Sequence, residues 1–459
     1  MTDFSLPFLA AIQKDQRLLI DDARSQWCTA RELAEQVEQW VAVFAGVKRL
    51  AFHYIGNRVE HVAAFLGLLK AGHGLALLDP AMPMQARQKL EETYRPDIIV
   101  NPVGSVTGQI GGLVYSVGAS GAAPLHPDLA VLLSTSGSTG NPKFVRLTLG
   151  NLQSNAVAIA AVLGIRNDEV GLAHLPLHYS YGLSILTSHL CRAAPVMLTE
   201  RGFMDAAFWP RARELDVAHF PGVPFHYQML RRLGLARVNL PKLRVMTQAG
   251  GALDFATRQH FHDAMSARGG RFHVMYGQTE ASPRITTMSH EDFVVAPQSV
   301  GQALPGGHIE IAADTGEIIY RGPNVMQGYA QSRSDLALGD TQHGELRTGD
   351  IGQLDAAGRL TITGRLKRDG KVAGLRINLD DVERAAASVV SGAAVVQRGE
   401  YIVVYCPDVG ARDDLKLRII DTLASTFTIP RLSYKVEFLN ELPRTPRGKI
   451  DYAALEAAS

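Results

Sequence analysis

The chain has 459 residues, more than one compact core supports, so two or more domains are expected. A hydrophobic content of 46% and a net charge of +1 are typical of a globular protein and give no support for a nucleic-acid or membrane-surface partner. The three cysteines, Cys28, Cys191 and Cys406, lie far apart, which indicates a reducing compartment rather than a disulfide framework or a zinc site. No basic leader and no run of about 18 apolar residues occurs. We therefore expect a cytoplasmic protein with no signal peptide and no membrane span.

Helical and strand-like segments alternate over the first part of the chain. Residues 29–47 carry apolar side chains at helical spacing with Thr29 as the N-cap, and residues 49–56 have the pattern of a strand. A helix closed by Gly72 follows. Further strands, each ending at a polar or Gly/Pro loop, are predicted at 73–80, 96–101, 130–135, 170–176, 194–199, 219–224, 243–250 and 271–277. This alternation predicts a largely parallel sheet with helices on both faces, and ligands at the carboxyl ends of its strands.

The pattern changes after Gly301. Short strands separated by Gly and Asp turns are predicted at 307–312, 316–322, 344–355 and 358–365, so this part is expected to be antiparallel. From Lys367 a small α+β domain is predicted, with helices at 379–390 and 413–427 and strands at 401–407 and 434–440. The expected division is therefore a large domain of residues 1–366 and a small domain of residues 367–459.

The stretch from Ser134 to Lys143 (STSGSTGNPK) contains no large apolar side chain, although apolar segments flank it on both sides. Hydroxyls and unhindered glycine amides give a phosphate many short donors, and Lys143 adds a mobile positive charge. A Walker-type loop needs Gly-Lys-Ser/Thr leading into a helix, whereas residues 144–148 alternate like a strand. The stretch is predicted to be a hairpin tip that folds over a triphosphate; the alternative is a flexible polar linker.

Two further motifs carry groups suited to a nucleotide. Residues 275–282 (MYGQTEAS) place Tyr276 where it can stack on a base, Thr279 where it can donate to a phosphate, and Glu280 where it can hold magnesium. The alternative is an ordinary helix N-terminus with capping residues. In residues 347–352 (RTGDIG), Asp350 can accept two ribose hydroxyls, although an Asp in a turn is the commoner role of such a sequence.

The order and spacing of the motifs together resemble the adenylate-forming superfamily of AMP-dependent ligases: acyl- and aryl-CoA synthetases, adenylation domains of peptide synthetases, and luciferases. The matching segments are 134–143, 249–253 (AGGAL), 276–280 (YGQTE), 348–352 (TGDIG), 364–371 (GRLKRDGK) and 443–451 (PRTPRGKID). The resemblance implies an α/β fold. It has a large N-terminal domain of βα-layered sheets with a distorted antiparallel barrel-like part, and a small mobile C-terminal α+β domain.

The resemblance also implies the reaction and its nucleotide site. A carboxylic acid is activated with ATP and Mg²⁺ to an acyl-adenylate, pyrophosphate is released, and the acyl group passes to a thiol. The loop residues that would wrap the β- and γ-phosphates are Ser134, Thr135, Ser136, Gly137, Ser138, Thr139, Gly140 and Lys143. Those that would line the adenine and acyl pockets or pack on adenine are Gly250, Gly251, Ala252, Tyr276 and Gly277.

Three residues are expected to act in catalysis by this resemblance. Thr279 contacts the α-phosphate, Glu280 binds magnesium, and Lys449 contacts both the carboxylate and the α-phosphate during adenylation. Asp350 and Arg365 hold the ribose. No general base is needed, because a carboxylate is already ionised at neutral pH.

The resemblance further implies a change between two half-reactions. Lys367 matches the hinge about which the small domain rotates after adenylation. Lys449 is then withdrawn, and the loop around Gly374 is presented to the thiol. Asp is also common at this hinge in the family, and a lysine there resembles the acyl- and aryl-CoA ligases.

The predicted substrate pocket comprises Tyr179, Tyr181, Val223 and Gly250. The segment LPLHYSYGL (175–183) departs from the family pattern, because Tyr179 stands where a histidine is usual. No Asp that would hold a substrate amine occurs in this segment. The wall is therefore expected to be apolar and aromatic, which favours a small-to-medium fatty or aryl acid over an α-amino acid.

Several alternatives remain open from the sequence. The thiol acceptor is CoA or the phosphopantetheine arm of an acyl or peptidyl carrier protein, and the chain is a monomer or a homodimer. Transfer to an amine, amino-acid adenylation, and a non-catalytic nucleotide-binding module are the competing interpretations. Retention of Lys143, Glu280, Asp350 and Lys449 argues against the non-catalytic module.

Overall fold

A computed structural model describes residues 13–118, 123–134, 143–366, 369–372, 375–390, 392–407, 410, 412–443 and 450–457. The chain divides into two compact units, one of residues 1–134 and 144–363 and the other of residues 135–143 and 364–459. The predicted hinge residue, Lys367, lies outside the described residues, so the domain division at that position stays a prediction.

The strands of the first unit, in chain order, are β1 (Arg17–Ile20), β2 (Cys28–Thr29), β3 (Leu50–Tyr54), β4 (Gly74–Leu78), β5 (Ile98–Val100), β6 (Gly108–Ile110), β7 (Leu113–Val117), β8 (Val131–Ser134), β9 (Phe144–Leu147), β10 (Val170–Ala173), β11 (Val196–Leu198), β12 (Val217–Gly222), β13 (Val245–Gln248), β14 (Arg271–Gly277), β15 (Arg284–Met288), β16 (Gln302–Ala303), β17 (His308–Ile311), β18 (Glu317–Arg321), β19 (Tyr329–Ala330), β20 (Glu345–Leu354) and β21 (Leu360–Arg365).

Its helices are α1 (Ala30–Phe44), α2 (Val59–Lys70), α3 (Met84–Tyr94), α4 (Leu149–Leu163), α5 (Ser180–Leu190), α6 (Phe208–Glu214), α7 (Pro224–Leu233), α8 (Leu235–Val238), α9 (Phe255–Ser266) and α10 (His290–Val295). The start of α1 follows from its sequence. Thr29 Oγ1 accepts a hydrogen bond from the Glu32 amide, and the Glu32 carboxylate accepts one from the Thr29 amide. This reciprocal cap satisfies amides that have no partner inside the helix.

Two mixed sheets, each with a central run of parallel strands, form the body of the first unit. One has the order β16-β15-β14-β13-β12-β10-β11-β1-β2, and the other has the order β19-β9-β8-β4-β3-β5-β7-β6. The strands β10 to β14 pair in parallel, as do β3, β4, β5 and β8, whereas antiparallel strands lie towards the edges. The predicted α/β class with a largely parallel sheet is confirmed.

The predicted hairpin around the glycine-rich stretch is flanked by strands that do pair. β8 and β9 are antiparallel, with Ser134 opposite Phe144 and Val131 opposite Leu147. The chain after Lys143 is thus a strand and not a helix, which separates this segment from a Walker-type loop. Residues 135–142 themselves lie outside the described part of the chain.

The segment after Gly301 forms an antiparallel sheet with the order β17-β18-β20-β21. As the Gly and Asp spacing predicts, β17, β18 and β21 are short, whereas β20 is a longer strand of 10 residues. Within the part of the chain that the structure describes, no helix combines the length and the apolarity that a membrane crossing requires.

The second unit is α+β, as expected. Its strands are β22 (Asp369–Val372), β23 (Leu375–Asn378), β24 (Ala394–Arg398), β25 (Tyr401–Pro407) and β26 (Tyr434–Leu439), and its helices are α11 (Leu379–Ala387), α12 (Arg412–Thr426) and α13 (Tyr452–Ala457). β25 pairs with β24 antiparallel and with β26 in parallel. Val404, Cys406 and Ile419 are among the fully buried side chains of its core.

Candidate active site

Loops that carry predicted site residues follow the carboxyl ends of neighbouring strands of the first sheet, and this end of the sheet is called its carboxyl edge. The register of β12, β13 and β14 places Gly222 beside Gln248 and Gln248 beside Val274. The loops that follow these strands therefore start from the same side. Because the carboxyl ends of parallel strands form the usual ligand crevice of such sheets, this edge is the candidate active site.

Tyr276 and Asp350 meet across this edge, although they are far apart in sequence and lie on different sheets. The Tyr276 hydroxyl, at the end of β14, donates a 2.6 Å hydrogen bond to Asp350 Oδ2 on β20. Both residues are buried. The Asp350 amide donates to Thr348 Oγ1 at 3.1 Å, and Thr348 in turn donates to the Ile318 carbonyl. The carboxylate is thus positioned by a partner on the neighbouring sheet.

Thr279 and Glu280 lie on a single 3₁₀ turn, residues Thr279–Ala281, and not on an α-helix. The Glu280 carboxylate is largely buried, and its Oε1 accepts a 2.7 Å hydrogen bond from the Tyr329 hydroxyl. Thr279 Oγ1 lies 3.0 Å from Ser180 Oγ at the start of α5. The interpretation of this motif as the N-terminus of an ordinary helix is therefore wrong for its backbone.

Close approach of backbones explains a glycine in this motif. A Cβ on Gly277 would lie 1.9 Å from the Pro283 carbonyl oxygen and 2.9 Å from the Arg284 Cα, so only glycine fits. Asn324 stabilises the turn of residues 279–281, because its side-chain amide donates a hydrogen bond to the Ala281 carbonyl at 2.6 Å. The carboxylate of Glu280 is therefore held on a fixed backbone.

Three of the four predicted pocket residues come together after β13. Gly250 has φ = +77°, and a Cβ there would lie 2.7 Å from the Tyr179 hydroxyl and 3.2 Å from Val223 Cγ1. Gln248 Nε2 donates to the Gly251 carbonyl at 2.7 Å and so shapes the turn. Gly250 thus requires glycine both for its backbone conformation and for the space that Tyr179 and Val223 fill.

Tyr181, the fourth pocket residue, is buried and tied to β13. Its hydroxyl lies 3.0 Å from both the carbonyl and the Oγ1 of Thr247, and its ring centroid is 6.2 Å from that of Tyr179. The Arg284 guanidinium, on β15, lies over the Tyr181 ring with its Cζ 3.9 Å from the centroid. An aromatic pocket wall was expected from the sequence, but a buried cation against it was not.

Several predicted site residues are not brought into view. The side chain of Arg365 lies outside the described part of the chain, and so do the following predicted residues: Thr135, Ser136, Gly137, Ser138, Thr139, Gly140, Lys367, Gly374 and Lys449. Ser134 ends β8 and is exposed, and Lys143 precedes β9 and is partly buried. Gly251 and Ala252 are exposed in the turn after β13. The roles expected for all of these residues stay predictions.

The surroundings of Glu280 are compatible with a magnesium ion that accompanies a nucleotide. Within the described ranges, no three His, Cys, Asp or Glu side chains converge as a self-sufficient metal site. Magnesium is commonly held by one or two carboxylates together with substrate phosphates and water. In the same described part, the hydrogen bond to Glu280 goes to Oε1, which leaves Oε2 for a ligand.

Sequence reasoning missed three residues that the fold adds to this edge: Ser180, Tyr329 and Arg284. Ser180 and Tyr329 contact Thr279 and Glu280, from 99 and 49 residues away in the sequence. No local pattern predicts such pairs. Arg284 had a signal that was available: an arginine two residues after the YGQTEAS motif, at the start of an otherwise apolar and β-branched strand.

Comparison with known proteins gives the same assignment as the motifs. The model of the AMP-binding enzyme family matches residues 9–330. The chain is 30% identical over 337 residues to the 2-succinylbenzoate–CoA ligase of Bacillus cereus, covering 70% of this chain and 68% of the relative.

Solved structures share the fold. An o-succinylbenzoate CoA synthetase of Bacillus subtilis superposes with a TM-score of 0.75 at 23% identity, covering 97% of this chain and 96% of that one. An amide bond synthetase of Marinactinospora thermotolerans gives a TM-score of 0.75 at 21% identity, covering 99% of each chain. With the family match over most of the chain, the protein belongs to the AMP-binding, adenylate-forming enzyme family and is an AMP-forming ligase.

Proposed function

We propose that this enzyme uses ATP and Mg²⁺ to activate a fatty or aryl acid, releases pyrophosphate, and passes the acyl group to the thiol of CoA. The observation that carries the proposal is the buried hydrogen bond from Tyr276 to Asp350. Tyr276 lies four residues before Glu280 in the chain. The hydrogen bond supports a ribose site beside a metal-binding carboxylate, which is what an adenylating enzyme needs.

In this proposal the described side chains bind and orient the nucleotide. Asp350 accepts the ribose hydroxyls, and Tyr276 both holds that carboxylate and packs on the adenine. Thr279 donates to the α-phosphate, with Ser180 beside it. Glu280 would hold Mg²⁺, which supplies charge stabilisation to the phosphates when bound.

The remaining predicted residues, most of which lie outside the described part, complete the proposed assignments. The loop from Ser134 to Lys143 wraps the β- and γ-phosphates, Arg365 binds the ribose, and Lys449 stabilises the charge that develops as the carboxylate attacks the α-phosphorus. A fixed cation is most effective there because negative charge grows at that oxygen in the transition state. Lys367 and Gly374 serve the later thiol transfer.

CoA is the preferred acceptor, because the curated relative reported above is named a CoA ligase. The phosphopantetheine arm of an acyl or peptidyl carrier protein ends in the same thiol and is the alternative. We assign the reaction to the cytoplasm on the chemistry of the cysteines, since Cys28, Cys191 and Cys406 are all free thiols.

Acid-dependent pyrophosphate exchange tests the proposal. Across a panel of fatty, aryl and amino acids, exchange should be fastest with a fatty or aryl acid, and CoA should then yield a thioester. A clear preference for one of the twenty amino acids would contradict the proposed substrate class. Absence of exchange with every acid would contradict the activity itself.

Transfer to an amine is the second candidate, favoured by the shared fold with an amide bond synthetase. It predicts that a pre-formed acyl-adenylate gives amide with a panel of amines faster than it gives thioester with CoA. Product analysis of the two acceptors in competition decides between the candidates.

A further inference from the structure

Arg284 is a buried cation at the predicted acyl pocket for which the described residues provide no anion. Its side chain is only 4% exposed, and its Nε has no hydrogen-bond partner among the described residues. Within the same described part, no carboxylate forms an ion pair with it. The aromatic ring of Tyr181, 3.9 Å from its Cζ, is its principal neighbour.

Other buried arginines of the described chain are used differently. Arg146, only 2% exposed, donates from Nε, Nη1 and Nη2 to backbone carbonyls. Arg87 also lies over a tyrosine ring, but its Nε donates to the Met82 carbonyl at 3.2 Å and its Nη2 to that of Pro80. These two cations therefore serve the fold, whereas the Nε of Arg284 lacks a carbonyl of this kind.

The tyrosines beside Arg284 do not supply the missing charge. Burial raises the pKa of both Tyr179 and Tyr181 above the usual value, and Arg284 opposes that shift without reversing it. Both phenols are therefore neutral at physiological pH. A ring face attracts a cation but does not replace a carboxylate, and a buried charge without its counter-ion is costly.

The backbone of Arg284 is fixed from two sides. Asn155 on α4 accepts from the Arg284 amide at 3.2 Å through Oδ1 and donates to its carbonyl at 2.9 Å through Nδ2. Asn324 donates to the same carbonyl at 2.9 Å. A guanidinium whose Nε has no partner in the described chain, on such a rigid support, suits preorganised recognition of an anion.

From these observations we propose that Arg284 binds a second carboxylate of the acid substrate, so that the enzyme prefers dicarboxylic acids. The inference rests on the proposed function, since one carboxylate must still be the group that is adenylated. The guanidinium would bind the other carboxylate through two parallel N–H donors, the arrangement in which arginine is most selective. Tyr179, Tyr181, Val223 and Gly250 would pack against the carbon skeleton between the two groups.

This proposal changes what the pocket selects. An apolar and aromatic wall alone favours monocarboxylic acids, whereas a buried cation penalises any substrate that leaves it unpaired. An acid of the same length without the second charge would bind more weakly, because it leaves the guanidinium unpaired. The site therefore selects substrates by the charge at their distal end as well as by their size.

The test uses pairs of acids that differ in the second charge alone. Pyrophosphate exchange is measured with dicarboxylic acids of two to ten carbons and the three benzenedicarboxylic acids, each beside its monomethyl ester. The best diacid should exceed its half-ester by about 10²-fold in kcat/KM, the range expected when one partner of a buried charge pair is lost. Diacid alone, without ATP, should also raise the melting temperature of the wild-type enzyme more than its half-ester does.

Two variants assign the preference to Arg284. Arg284→Met should lose diacid activity and keep or gain half-ester activity, whereas Arg284→Lys should retain part of the preference because it keeps the charge without the planar fork. Arg258→Met is the matched control, since the Arg258 side chain donates to the carbonyls of Leu253, Pro297 and Ser299. It should leave the ratio between diacid and half-ester unchanged.

Three outcomes would overturn the inference. The first is equal activity of the wild type with diacids and half-esters, and the second is an Arg284→Met variant that raises only the KM for ATP, which would assign the guanidinium to the nucleotide. The third is exchange with monocarboxylic acids alone, and it would leave the proposed function standing. If no acid of either panel supports exchange, the proposed function fails as well, so the two failures are distinguishable.

Discussion

The residues of the candidate site are held by partners from distant parts of the chain. Tyr329 donates to Glu280, Tyr276 donates to Asp350, and Ser180 lies beside Thr279. Each contact restricts a group that the proposed reaction needs in one orientation. A fixed orientation matters because electrostatic stabilisation of a transition state depends on groups that need not reorganise.

Glu280→Gln tests the metal at the scale of one residue. The amide keeps the shape and an acceptor for the Tyr329 hydroxyl but removes the charge that would bind Mg²⁺. Pyrophosphate exchange should fall by orders of magnitude, while the free energy of unfolding changes by only about 1 kcal/mol or less. Tyr329→Phe, which keeps the Glu280 charge, is the matched control and should cost roughly tenfold or less in exchange. Near-wild-type exchange by Glu280→Gln at saturating Mg²⁺ would reduce Glu280 to a structural role.

At the scale of elements, the layer between α5 and the first sheet contains buried imidazoles. His189 on α5 and His219 on β12 have ring centroids 5.1 Å apart, and His273 lies on β14. Burial is the main cause that lowers the pKa of all three, to about 3 for His189 and for His273. Glu169, whose carboxylate accepts from Arg244 and is paired with His219, has its pKa lowered to about 2 by these partners despite the opposing effect of burial.

This layer predicts loss of stability in mild acid. The folded pKa of each histidine lies below its unfolded value of about 6.5, so its stabilisation is complete above pH 6.5 and is lost as the pH falls below it. The loss is about 1.4 kcal/mol per pH unit for each such group. Glu169 acts in a lower window, between its unfolded pKa of about 4.5 and its folded pKa of about 2. Urea unfolding at pH 7.5 and 5.5 should therefore differ by a few kcal/mol.

His273→Leu isolates one contribution to that loss. Neither ring nitrogen of His273 has a hydrogen-bond partner in the described chain, so leucine removes the protonation penalty without breaking a hydrogen bond. The difference in stability between pH 7.5 and 5.5 should shrink by about 1 kcal/mol relative to the wild type. Replacement of the exposed His308 by Gln should leave the difference as it is. A wild-type protein equally stable at both pH values would refute this account.

At the scale of the whole molecule, the proposed reaction has two half-reactions that depend on different residues of the second unit. Lys449 follows a glycine in the sequence PRGKID, and Lys367 lies near its beginning. The resemblance assigns adenylation to Lys449 and the change between half-reactions to Lys367. The two steps should therefore be separable by substitution.

Lys449→Ala should lower adenylation by about 10² to 10³, because it removes a cation from the place where negative charge develops. Thioester formation from a pre-made acyl-adenylate should survive. Lys367→Pro should do the reverse, since proline fixes φ near −65° and resists the backbone rotation of a hinge. Pyrophosphate exchange and thioester yield are measured for both variants. Equal loss of both half-reactions in both variants would contradict the rotation.

The sequence by itself determined the alternation of helices and strands, the antiparallel segment after Gly301, and the motifs that identify the family. These features are local: a helix such as α1 is specified by its apolar spacing and its cap at Thr29, and the strand after Lys143 by its own pattern. The residues Tyr276, Glu280 and Asp350 were found in the same way, because each belongs to a short motif.

Only the tertiary structure decided which side chains meet. The hydrogen bonds of Tyr276 with Asp350 and of Tyr329 with Glu280 join residues 74 and 49 positions apart, and they depend on strand order and register rather than on any local pattern. The sequence likewise predicted an apolar and aromatic pocket wall, because the segment of residues 175–183 offers tyrosines and no Asp. The fold instead buries Arg284 against Tyr181, and burial is what turns an ordinary cation into a candidate determinant of substrate charge.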